Sequence, residues 1–289
     1  MKKLVSLVLV LACALSLVAC GGGSTEEATD ETVTAKVIEH DLTVEDYAFG
    51  VDKAQPELLD EVNAFIAEIK ADGTLDEICD KYFGDGEPTA VESAEYDAAK
   101  DQFVVATNAA FEPFEYTKGD SYYGIDMELA AMIAEKLGQE LVIMNMDFDA
   151  VCLNVGKNGI DIAMAGLTIN EEREEFVTFT DSYYSASQKL IVPSTNTTFD
   201  ECADADAVVA LLNELTTDDK IGVQSASPST GQFYVEGDAD WGFDGIPATC
   251  VPYKNGSLAV QDMLNGNISF VIIDAAPAAA ITEAINAVQ

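Results

Sequence analysis

Arginine occurs once in the 289 residues, at Arg173, and histidine once, at His40. A lone histidine with no nucleophile motif beside it excludes a histidine-dependent catalytic triad, although a carboxylate general acid stays open. Basic residues are scarce as a class: 14 lysines and arginines face 52 aspartates and glutamates, for a formal charge of −38. Coulomb repulsion at that charge sets aside nucleic acid and anionic lipid as binding surfaces. The six cysteines lack the close spacing of a metal motif, so no metal and no other cofactor is expected. What is present is a 48% hydrophobic chain, enough for one large or two medium cores and unlike a disordered acidic tail.

The first twenty residues have the layout of an export signal. Lys2 and Lys3 precede an almost wholly apolar stretch, 4–18, too short for a good membrane span. Leu17-Val-Ala-Cys20, followed by glycines, resembles the bacterial lipoprotein signal, which implies lipidation at Cys20, with residues 21–32 a flexible tether. The mature protein is therefore expected outside the cytoplasmic membrane, held by lipid. Cys79, Cys152, Cys202 and Cys250 would remain in it, as two disulfides (Cys202 with Cys250, Cys79 with Cys152) or as free thiols.

Strand and helix patterns alternate from residue 101 onward. Strands are expected at 103–107, 141–146 and 160–165, with helices at 124–137, closed by Gly138, and 148–157. A second series follows, with strands at 220–224 and 269–274 and helices at 205–215, 258–265 and 275–287. Such alternation gives α/β architecture. Before it, 47–52 reads as a strand, 56–72 as an amphipathic helix stopped by Gly73, and 75–83 as a second helix ending at Gly84. Residues 85–102 read as a linker, and 189–197 as a crossover between two lobes.

Val105-Ala-Thr-Asn-Ala-Ala-Phe-Glu-Pro-Phe-Glu-Tyr116, Gly124-Ile-Asp-Met-Glu-Leu129, Met146-Asp-Phe148, the 161–173 segment and Phe179-Thr-Asp-Ser-Tyr-Tyr184 occur in that order. Together they closely resemble the first lobe of the polar amino-acid class of bacterial extracellular solute-binding proteins, the glutamine-binding-like components of ABC importers. Ile221-Gly-Val-Gln224, Ser229-Thr-Gly231 and Val271-Ile-Ile-Asp274 resemble stations of the second lobe. The resemblance implies the two-lobed type II periplasmic-binding-protein (Venus-flytrap) fold. Asp46-Tyr-Ala-Phe-Gly-Val-Asp-Lys53, Glu57-Leu-Leu-Asp-Glu-Val-Asn63 and the 70–84 segment look like the family's C-terminal end placed at the N-terminus. The fold is thus expected to be circularly permuted, the 85–102 linker joining the family's usual ends; a truncated tandem duplication is the other way to that order. Lobe 1 would be 46–193, and lobe 2 would be 33–45 with 194–289, hinged at 45–47 and 192–194.

The same resemblance assigns roles. Arg173 maps onto the arginine that binds the ligand carboxylate, whereas local sequence alone favours one member of a solvated helix face among Glu171, Glu172, Glu174 and Glu175. Asn170 is placed to cap the helix that carries Arg173. Thr168 maps onto a hydroxyl bridging the ligand's carboxylate and ammonium, and Ala165 and Gly166 line the site beside it. Ser229 and Thr230 map onto the second-lobe helix start whose amides and hydroxyls complete the carboxylate clamp, in a loop that Ser227 and Pro228 lengthen. Asp274 maps onto the ammonium ligand, or caps the helix after it. Phe111 and Phe148 match aromatics that sandwich the ligand side chain. Asn108 stands where many relatives carry aspartate, which favours a neutral polar ligand over a cationic one. The expected activity is capture of a polar amino acid and its delivery to a membrane permease by a monomeric, non-enzymatic protein. A sensory module for a membrane receptor and a small-acid dehydratase on the same architecture are the rival readings.

Overall fold

The computed structural model describes residues 33–84, 86–224 and 229–288. The expected export signal with Cys20, the expected tether and the Ser227-Pro228 pair lie outside them. Strands and helices are numbered along the chain. The first sheet runs in the order β10 (Val177–Phe179), β3 (Gly50–Asp52), β9 (Ile162–Ala163), β4 (Gln102–Thr107), β8 (Glu140–Asn145). All six residues of β4 are buried, as a continuous apolar run must be when helices cover both faces of a sheet. It pairs in parallel with β8 and β9, while β3 enters antiparallel between β9 and β10. The second sheet runs β1 (Ala35–Ile38), β12 (Gln188–Pro193), β15 (Phe270–Asp274), β13 (Lys220–Gln224), β14 (Thr249–Tyr253). Pro252 sits in β14, an edge strand, where its missing N–H costs no ladder bond.

The chain crosses between the sheets on a two-stranded ribbon, β2 (Glu45–Tyr47) antiparallel to β11 (Tyr184–Ala186). A small meander, β5 (Ala110–Phe111), β6 (Glu115–Lys118) and β7 (Ser121–Tyr123), falls in sequence between β4 and α3. On the first sheet α1 (Pro56–Asp72) buries Val62, Phe65, Ile66 and Ile69, a helical stripe, and stops where Gly73 turns left-handed. After it come α2 (Thr74–Phe83), α3 (Ile125–Leu137), α4 (Phe148–Asn154) and α5 (Glu171–Glu174). Around the second sheet are α6 (Ala205–Leu212), α7 (Thr230–Glu236), α8 (Gly256–Leu264) and α9 (Ala275–Asn286).

Several expected boundaries move. The strand expected at 47–52 breaks at Ala48-Phe49 into β2 and β3, which pair with different partners. The helix expected to 157 ends at Asn154, because Gly156, Asn158 and Gly159 all take positive φ. The second crossing, expected at 192–194, occurs instead at β11: an apolar strand such as Lys189-Leu-Ile-Val192 carries no sign of which sheet claims it, and its antiparallel pairing with β15 places it in the second. Residues 86–101 form a strap against the first sheet. Ala94 N donates to Leu141 O, Ile143 N donates to Ser93 Oγ at 2.8 Å, and Val91 is buried against Met127 and Ile143. The free edge of β8 is thereby covered. Cys79, Cys152, Cys202 and Cys250 are free thiols.

Candidate functional site

Segment 166–169 runs beside the ribbon, joined to it by one isolated bridge. Ala48 N donates to Leu167 O, Ile169 N donates to Asp46 O, and Tyr47 bridges Thr168. One turn later Asn170 caps α5, its Oδ1 accepting from Arg173 N at 2.7 Å. That turn carries Arg173 inward, to 4% exposure, while Glu171, Glu172, Glu174 and Glu175 stay exposed. The guanidinium donates from Nη1 to Thr168 O at 2.7 Å and lies 5.2 Å over the Phe148 ring. It makes no ion pair within 4 Å among the described residues. The solvated helix face that local sequence permits is therefore not what forms. A buried guanidinium with most of its N–H groups uncommitted is a ready point for a carboxylate.

Gly166 holds φ +53, and a Cβ there would lie 2.9 Å from Phe111 Cε1. Its N–H donates to Asp126 Oδ2 at 2.9 Å, and Asp126 Oδ1 accepts from Tyr183 O–H at 2.6 Å. Burial pushes the Asp126 carboxyl up to about 7. Phe111 stacks on Phe114, whose edge meets Tyr47. Ala165 is fully buried in the apolar cluster with Val104 and Leu167, so it supports the site without side-chain chemistry. Asn108 donates from Nδ2 to Met146 O at 2.8 Å, which leaves its buried Oδ1 without a partner.

From the second sheet come Ser229, Thr230 and Asp274. Ser229 caps α7, its Oγ accepting from Gln232 N and donating to Gln224 O at 2.6 Å, so its hydroxyl is occupied locally. Thr230 is 4% exposed. Asp274 precedes α9 but makes no side-chain capping bond; it accepts instead from Tyr47 O–H. Burial, and after it the charge of Glu45, push the Asp274 carboxyl up to about 7. Glu115, wholly buried with both oxygens unpartnered, is held well above the usual carboxylate range by burial and then by Asp126 and Asp274.

The two groups of residues meet through Glu45, which sequence reasoning did not single out. Its Oε2 accepts from Thr168 Oγ1 at 2.6 Å and from Thr230 Oγ1 at 2.7 Å. Oε1 accepts from Gln188 Nε2 at 2.9 Å and Thr43 Oγ1 at 3.2 Å. The available signal was the alternation in Glu45-Asp-Tyr47, which buries Glu45 and Tyr47 on one face of β2 and exposes Asp46. Across the outer mouth, Lys254 Nζ stands 3.6 Å from Asp147 Oδ2. His40 lies apart from these groups, its Nε2 2.9 Å from Cys202 O. No described group of histidine, cysteine and acidic residues is arranged to hold a metal.

The family model for bacterial extracellular solute-binding proteins, family 3, matches residues 9–85 and 103–276. Over 95 residues the chain is 34% identical to the arginine-binding extracellular protein ArtP of Bacillus subtilis, a match covering 33% of this chain and 37% of that one. It is 31% identical over 120 residues to the cyclohexadienyl dehydratase of Pseudomonas aeruginosa, covering 40% and 45%. Both matches span less than half of the curated relative. Among solved structures, an ancestral arginine-binding protein bound to arginine aligns at 29% identity with a TM-score of 0.51, covering 63% of this chain and 74% of the other.

Proposed function

The chain belongs to family 3 of the bacterial extracellular solute-binding proteins, and we propose that it captures a free polar amino acid between two lobes and delivers it to an ABC import permease. The lobes are the two sheets with their helices, and the β2–β11 ribbon is the hinge. A lipid on Cys20 would tether the protein to the outer face of the membrane. A circularly permuted segment order is part of the proposal, and what supports it is that β3, from the N-terminal segment, sits inside the first sheet while β1 borders the second against β12.

Arg173 carries this reading. A guanidinium 4% exposed and without an ion pair among the described residues is costly to bury unless an anion joins it. The α-carboxylate of an amino acid fits that need, with Asp274 on the opposite sheet available for its ammonium. Phe111 and Phe148 would flank the side chain, and Asn108 Oδ1 offers an acceptor to a neutral donor such as a carboxamide. Ligand contacts to both lobes favour the closed arrangement because the open one offers only half of them.

Calorimetric titration of the protein, after unfolding and refolding to remove carried ligand, against the standard amino acids tests this. Saturable binding of one or a few, lost in Arg173→Ala and in Asp274→Ala, is the expected result. A folded sample that binds none refutes it. The match to a dehydratase, together with a buried acid near neutral pH at Asp274, favours one second reading, water elimination from a small carboxylic acid. Turnover of such an acid, abolished by Asp274→Asn, would decide for it.

A further inference from the structure

An ionised carboxylate only accepts hydrogen bonds, whereas a threonine hydroxyl has a single proton to donate. Thr168 and Thr230 both direct that proton to Glu45 Oε2, at 2.6 and 2.7 Å. The two hydroxyl oxygens stand 3.3 Å apart because they share one acceptor. Toward anything else in the cleft each can offer only lone pairs. Gln188 is tied to the same carboxylate but keeps a second N–H of its own, which turns to Asp274. Its Nε2 donates to Glu45 Oε1, so Oε1 of Gln188 points away; this residue is 1% exposed and that oxygen has no partner among the described residues. A Cβ on Gly231 would crowd it at 3.1 Å and Ile272 O at the same distance, so glycine is what lets α7 approach this closely. Gln188 pairs with Asp274 in the β12–β15 ladder, which brings a further acceptor alongside.

We infer that Glu45 is a positioning residue that fixes the hydrogen-bond polarity of the cleft. It makes Thr168 and Thr230 acceptors at once and orients Gln188, so that with Asp274 the two hydroxyls form a receptacle for a primary ammonium and leave the carboxylate to Arg173. This rests on the amino-acid reading and narrows it. Thr168 cannot bridge carboxylate and ammonium, since it has no proton left for the former. The ligand must carry an unsubstituted ammonium with three N–H donors. A glutamine at position 45 would present N–H donors of its own, turn at least one threonine proton into the cleft, and set donor against donor.

Wild type, Glu45→Gln, Thr230→Val and Thr230→Ser, each checked for folding by circular dichroism and thermal melting, are titrated with L-arginine, L-histidine and L-glutamine. The des-amino analogue of each, which keeps carboxylate and side chain, competes at millimolar concentration. Glu45→Gln and Thr230→Val are expected to weaken amino-acid binding roughly 10- to 100-fold, the worth of a hydrogen bond to a charged group. Thr230→Ser should recover most of that loss, and the des-amino analogues should bind all four proteins alike. Because both losses act through one proton, the Glu45→Gln/Thr230→Val double variant should bind within about threefold of Glu45→Gln alone. Equal losses for amino acids and their des-amino analogues, or losses that multiply in the double variant, overturn the inference while leaving the amino-acid reading intact. A folded wild type that binds none of the twenty amino acids overturns both.

Discussion

Acidification from pH 7 to pH 5 should weaken ligand binding about 50-fold. The Asp274 carboxyl is pushed up to about 7, first by burial and then by the charge of Glu45. Tyr47, facing it from β2, has its phenol pushed far above the usual range by burial and then by Asp274, so it remains a donor throughout. Glu115 and Tyr184 are the other titratable groups that feel Asp274, and both are shifted upward, chiefly by burial. In the proposed site the ammonium pairs with the ionised form of Asp274, so binding would remove a proton from whatever fraction is protonated. That fraction is about half at pH 7 and about 99% at pH 5, so the ionised form falls about 50-fold, which is about 2.3 kcal/mol of lost affinity. Calorimetry at pH 5, 6, 7 and 8, in paired buffers of unlike ionisation enthalpy, reads both the affinity and the protons exchanged. Proton release should approach one per ligand at pH 5 and vanish toward pH 8, and Asp274→Asn should bind weakly with no pH dependence. Equal affinity at pH 5 and 8, or proton uptake on binding, refutes the assignment of the ammonium to Asp274.

Three further outcomes follow from the packing. Asp126 keeps a proton in the folded state, up to about pH 7, that the unfolded chain gives up above about 4, so stability should fall as pH rises through that window. Asp126→Asn should flatten this slope in urea unfolding, a change of at most about 4 kcal/mol across a window roughly three pH units wide. Gly124→Ala should abolish soluble expression, since at φ +124 its Cβ would stand 2.1 Å from Phe114 O. The control Gly138→Ala, with nothing within 4 Å at φ +72, should cost only about 1 kcal/mol in thermal unfolding. Asn170→Ala removes the α5 cap, a change of about 1 kcal/mol in stability, but should weaken amino-acid binding several-fold more in calorimetry because Arg173 loses its orientation.

The parallel core of the first sheet was legible in the sequence because β4, β8 and α3 have local signatures: continuous apolar runs, and a helical stripe ended by Gly138. Short or mixed elements were not. β14 carries a proline and has no period that stands out from its surroundings; α7, only seven residues long, was reached through the resemblance at Ser229 and Thr230 and not through any period of its own. Arg173 drew notice through its rarity, yet its burial depends on the Asn170 cap and on a ring from α4. Glu45 was invisible for a plainer reason. Thr168, Gln188 and Thr230 lie 123, 143 and 185 residues away from it, so nothing in its neighbourhood announces the contact.

The strap at 86–101 has a consequence for the integrity of the chain. Its exposed stretch from Glu95 to Asp101 is where a protease would cut first, yet a cut there should not release either piece. The shorter fragment contributes β3 to the interior of one sheet and β1 to the border of the other, and it supplies Glu45 and Tyr47 besides. The longer fragment keeps Arg173, Thr230 and Asp274 but lacks the ribbon strand that aligns them. The molecule is in effect a pair of complementary peptides written as one polypeptide, and neither half holds a complete cleft.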